Sequence, residues 1–62
     1  MNDIVVNAKI TIKNAPERLY RWNVVRICDN GLWYYGTYKD HDRAKHAADE
    51  IYNGMLIEVE VA

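Results

Sequence analysis

The chain has no phenylalanine, one cysteine, one proline and three glycines in 62 residues. With Cys28 alone, no intrachain disulfide can form and thiols cannot build a structural zinc site. A lone thiol suits a reducing compartment, so the expected location is the cytoplasm. No apolar run approaches the roughly 18–20 residues of a membrane-spanning helix. The first residues lack the basic region and apolar core of a signal peptide. So few glycines leave no Gly-rich phosphate loop, because each sits where a turn, bulge or cap needs it. Ring volume falls to five Tyr and two Trp. Each of those rings ends in a hydrogen-bonding group that must reach water or a partner.

What is present fits one small folded unit, residues 1–62. Half the residues are hydrophobic and 27% are charged, which supports a globular fold. A domain this size buries only about 60% of its unfolded surface, so its stability margin is thin. Net charge is −1 and gives no general reason to bind nucleic acid. Its distribution is uneven. Residues 1–39 hold six cations and three anions, net +3; residues 40–62 hold two cations and six anions, net −4.

Periodicity orders the elements. In residues 4–13, Ile4, Val6, Ala8, Ile10 and Ile12 recur at a spacing of two with Asn7, Lys9, Thr11 and Lys13 between them, the mark of a half-buried strand. Asn14-Ala15-Pro16-Glu17 breaks it. Residues 19–28 are rich in β-branched and aromatic types and read as a second strand. Asn30-Gly31 predicts a type I′ hairpin turn, and residues 32–38 return as a third strand. Asp40 is a natural N-cap for a helix whose stripe is Ala44, Ala47, Ala48 and Ile51. Asn53-Gly54 predicts a left-handed stop, and residues 55–61 alternate again. The expected fold is α+β, ordered β-β-β-α-β, with an antiparallel three- to four-stranded sheet and one helix packed on one face.

A turn at Asn30-Gly31 pairs Cys28 with Trp33 and Ile27 with Tyr34. One hairpin face then carries Trp22, Val24, Cys28, Trp33 and Tyr35, with Arg26 among them. The other carries Leu19, Val25, Ile27, Leu32 and Tyr34, with Arg21 and Asn23. One helix covers one face. Its small Ala stripe suits the large rings, so the first face is expected beneath it, with Gly36 as a bulge that turns Tyr38 toward the helix. The second face is left uncovered. Leu19, Arg21, Asn23, Val25, Ile27, Leu32 and Tyr34 are therefore the expected partner-binding residues, with Arg21 and Tyr34 as anchors.

Catalysis has little support. His41 and His46 are five apart, about 140° around a helix, and cannot share one metal ion as an i, i+4 pair does. Cys28 reads as a small core residue, and Asp40 and Asp42 serve the helix cap and dipole. No catalytic residue, metal site or cofactor is expected, and the chain is too short for a deep ligand pocket.

From Trp22 to Ile51 the pattern resembles the three-strand-plus-helix domains of plant AP2-type and phage-integrase arm-binding proteins. Trp22 and Val24, Tyr35-Gly36-Thr37-Tyr38, Asp40, and Ala44, Ala47 and Ala48 carry the likeness. The resemblance implies DNA contact through the sheet face away from the helix, here Arg21, Asn23 and Tyr34. Those families are markedly basic and this chain is not. In architecture the chain also resembles small phage proteins that inhibit bacterial RNA polymerase, through Trp22-Asn23-Val24, the Ala-lined helix and the last strand at Ile57–Val61. That likeness implies a phage or prophage origin and assigns no residue. The leading expectation is a non-enzymatic accessory factor or inhibitor that binds another protein, of the host or a second copy of itself. The alternative is a weak nucleic-acid binder with Lys9, Lys13, Arg18 and Arg21 on phosphates; a homodimer of structural role is the third.

Overall fold

The computed structural model describes residues 12–60 and the backbone of 4–6. Five elements follow in chain order: β1 (Ile4–Val6), β2 (Trp22–Cys28), β3 (Gly31–Tyr38), α1 (His41–Asp49) and β4 (Gly54–Val59). The fold is α+β in the expected order. The strands form one sheet in the order β1-β4-β2-β3, antiparallel except for the parallel β1–β4 pair. β4 therefore lies inside the sheet. Its Met55, Leu56, Ile57 and Val59 are all buried, as a strand covered on both sides requires.

The helix forms as its sequence dictates. Asp40 stays extended at φ −104° and ψ 127°, and its carboxylate accepts the Arg43 amide at 3.0 Å. Ala44 and Ala48 are buried against Val24 and Leu56, with Ala47, Ile51, Trp22 and Tyr38 packed around them. Small residues on the helix let the rings of Trp22 and Tyr38 fill the gap. The positive φ beyond the helix belongs to Asn53, at 58°, and not to Gly54. Gly54 is required for another reason: a Cβ there would overlap the Ala48 carbonyl oxygen and the Ile51 side chain.

The hairpin turns one residue earlier than Asn-Gly predicts. Cys28 pairs with Gly31, Ile27 with Leu32, Arg26 with Trp33 and Val25 with Tyr34. The loop is Asp29-Asn30, neither with positive φ, followed by Gly31 at φ 129°. A type I′ turn is thereby excluded. The slip moves each pairing by two residues, so the division of β2 and β3 into faces survives it. A register shift between Val24 and Val25 leaves Tyr35 unpaired, since Val25 faces Tyr34 and Val24 faces Gly36. That bulge returns Tyr38 to the helix side, as expected. It also throws Tyr35 outward, where the ring is 54% exposed rather than in the core. Trp33 is half-buried and stands outside the cluster beneath the helix.

The largest departure concerns the face away from the helix, which is covered. Residues 12–20 run across it as a strap. Ile12 is buried with Val25, Met55, Ile57 and Val59, and Ala15, Leu19, Leu32 and Tyr34 pack on that cluster. Lys13 joins the outer edge of β3: its amide donates to the Leu32 carbonyl at 2.8 Å, and the Tyr34 amide donates to the Lys13 carbonyl at 2.9 Å. Asn14 at φ 66° turns the chain away. The expected first strand over 4–13 is thus not one element. Its start pairs with β4 at one edge of the sheet, its end bridges β3 at the other, and residues 7–11 lie outside the described residues.

Candidate interaction surface

The strap divides the expected contact patch. Val25 and Asn23 have no exposed surface, so neither can touch a partner. Asn23 instead ties the strap down, its amide nitrogen donating to the Tyr20 carbonyl at 2.8 Å and the Arg21 carbonyl at 3.4 Å. Its Oδ1 is buried without a hydrogen-bond partner among the described residues. Leu19, Leu32 and Tyr34 are half-buried against the core. Arg21 is exposed and forms an ion pair with Glu58. Ile27 is 45% exposed. Arg21 just precedes β2 and Ile27 lies near its far end, about 20 Å apart at 3.3 Å per residue. What looks in sequence like one seven-residue patch is therefore two exposed ends separated by buried residues. The face that the AP2-type resemblance gives to DNA is the strapped one.

Of the cations named for nucleic acid, Lys13, Arg18 and Arg21 are exposed, and Lys9 lies outside the described residues. Four cations lie over rings. Arg21 is 5.1 Å from the Trp22 centroid, Lys39 5.0 Å from Tyr20, Lys13 5.8 Å from Trp33 and Arg26 6.0 Å from Tyr52. Sequence reasoning missed this use of the rings. Tyr52 drew no attention because it follows the helical stripe, yet it is 76% exposed and faces Arg26.

The residues weighed for catalysis hold local roles. Cys28 is half-buried and pairs across the hairpin with Gly31, not Trp33. His46 pairs with Glu50 at 3.3 Å and Lys45 with Asp49 at 3.6 Å, both at helical i, i+4 spacing. Asp42 meets the neighbouring His41 ring at 3.3 Å. The Trp22 ring lies edge-on to His41, 4.6 Å between centroids. Among the described residues no three His, Cys, Asp or Glu side chains gather as a metal site would require. No helix among them is long and apolar enough to cross a membrane. Comparison with protein-family models, curated proteins and solved structures gives no match.

Proposed function

We propose that the protein is a non-enzymatic binding module whose partner is another protein, met at the hairpin end on the face away from the helix. Ile27 carries this reading. Four large apolar side chains are exposed among the described residues, and Ile27 is the aliphatic one; the others are tyrosines with a polar tip. It stands opposite Leu32, and the strap packs on Leu32 without sheltering Ile27. A cross-strand aliphatic pair at a rim, with Tyr34 beside it, offers the small desolvated centre a protein contact needs. Arg21, expected as an anchor, belongs to a different region and is engaged with Glu58. The likeness to small phage inhibitors agrees with such a role and adds no residue to it.

The test is a photo-crosslinking amino acid placed at position 27 or at position 42, with the protein expressed in its own cell. Position 27 is expected to trap one discrete protein and position 42 none. An adduct of twice the chain mass would identify the partner as a second copy. Adducts at position 42 with none at position 27 would remove the proposed contact.

A further inference from the structure

We propose that the helix side of the same hairpin end binds single-stranded nucleic acid, independently of the protein contact. The register sets four side chains in a row across the sheet. Arg26 on β2 pairs with Trp33 on β3, and Trp33 bridges Lys13 on the strap. On the other side Arg26 pairs with Gly54 of β4, and its guanidinium lies over Tyr52, two residues earlier. The row therefore reads ring, cation, ring, cation: Tyr52, Arg26, Trp33, Lys13. Neighbouring strands are about 4.8 Å apart, so the two cations stand about 10 Å from each other at the backbone.

Two observations point to an anionic, stackable ligand. First, neither Lys13 nor Arg26 has a carboxylate at ion-pair distance among the described residues. The acids at the end of the helix, Asp49 and Glu50, already pair with Lys45 and His46. Both cations rest on rings instead, and among the described residues no carboxylate neutralises them. Second, the Trp33 ring is held in place. Its indole N–H donates to the Asn30 side-chain oxygen at 2.8 Å, so the ring is oriented before any ligand arrives. Single-stranded nucleic acid matches this arrangement: bases stack on rings without regard to sequence while phosphates meet the cations. A duplex hides its base faces and cannot use the rings. The helix does not close the row, since Trp33 stands apart from the cluster beneath it and Tyr52 is largely exposed.

The experiment is fluorescence anisotropy of labelled dT15 with the full chain. Binding through two phosphates predicts a log–log salt slope of about −1.4, or about a sevenfold loss of affinity between 50 and 200 mM salt. Tyr52→Ala removes a mostly exposed ring, and Arg26→Ala an exposed cation, so both variants should fold. Tyr52→Ala is expected to weaken binding at least about fivefold, the low end for one stacked base. Ile27→Ser, on the opposite face, is expected to leave it unchanged. The Trp33 indole N–H resonance, assigned by its loss in Trp33→Phe, should move on titration with dT15. Absence of binding at 20 mM salt would overturn the proposal. So would binding that both variants leave intact, or a duplex of equal length that binds as tightly. A 15-residue poly-glutamate peptide that competes as well as unlabelled dT15 would reduce the site to charge alone. Equal movement of the Trp33 resonance with dTMP would make it a nucleotide site, not a strand site. None of these results bears on the crosslink at position 27.

Discussion

Replacing Ile12 by alanine tests whether the strap is part of the fold. If the face away from the helix were open, Ile12 would sit on a solvated segment, and the change would cost no more than about 0.5 kcal/mol. In the structure Ile12 is 9% exposed and touches the cluster of Val25, Met55, Ile57 and Val59. The substitution removes three carbons, each worth about 0.8 kcal/mol on burial, which sets the transfer cost near 2 kcal/mol. A cavity would add to that, but the strap lies at the surface and can settle inward, so the total should stay at about 2–3 kcal/mol. A 62-residue domain has roughly 3–9 kcal/mol of stability in all. The loss is therefore a large share, and at about 4–8 °C per kcal/mol it lowers Tm by about 10–20 °C. Urea denaturation followed by near-ultraviolet circular dichroism measures it, because the Trp and Tyr signals report tertiary packing. Ile27→Ala is the control: with 45% exposure it should cost far less. Equal, small losses at both positions would show that the strap does not cover the sheet. The open face expected from sequence would then be restored as a contact surface.

Two further substitutions follow from the same packing. Gly54→Ala should destabilise by about 1–3 kcal/mol in thermal unfolding, because the added methyl meets the Ala48 carbonyl, a backbone atom that cannot swing aside; an unchanged Tm would contradict the close approach of helix and β4. Asn23→Asp replaces a fully buried amide donor by a carboxylate aimed at the Tyr20 and Arg21 carbonyls. The expected loss at neutral pH is about 3 kcal/mol or more. Burial raises the new group's folded pKa above its unfolded value, so the deficit should shrink as pH falls toward about 4 and the carboxyl protonates; a deficit that grows on acidification would refute this account.

Much of the molecule is legible in its sequence because local rules decide it. Alternation and turn residues mark β2, β3 and β4, and the stripe of Ala44, Ala47, Ala48 and Ile51 marks the helix and its buried side. Side-chain volume points to the helix-covered face, and Trp22, Val24 and Tyr38 do lie beneath the helix. That assignment survives an error in the turn because a two-residue slip preserves side-chain parity. The strap was hidden for the opposite reason. Nothing in the spacing of Ile12, Ala15 and Leu19 says that a segment broken by Asn14 and Pro16 folds back over a sheet made from residues up to 59. Arg26 is a charged residue on an otherwise apolar face, and the structure explains it. It lies where the helix no longer shields the sheet, with its guanidinium over Tyr52 instead of under Ala44. The candidate site was thus half visible. Arg and Tyr were sound residue types to select, but which of them share a surface depends on a chain crossing that no local pattern records.

The strand with partners on both sides has a bearing on biosynthesis. β4 leaves the ribosome after every other element, yet β1 and β2 pair with it and not with each other. Until residues 54–59 clear the exit tunnel, the nascent chain can form the β2–β3 hairpin and the helix but has no centre to gather them on. Folding must wait for the end of translation of this domain. A chain that stops before residue 54 should yield a product that proteases clear.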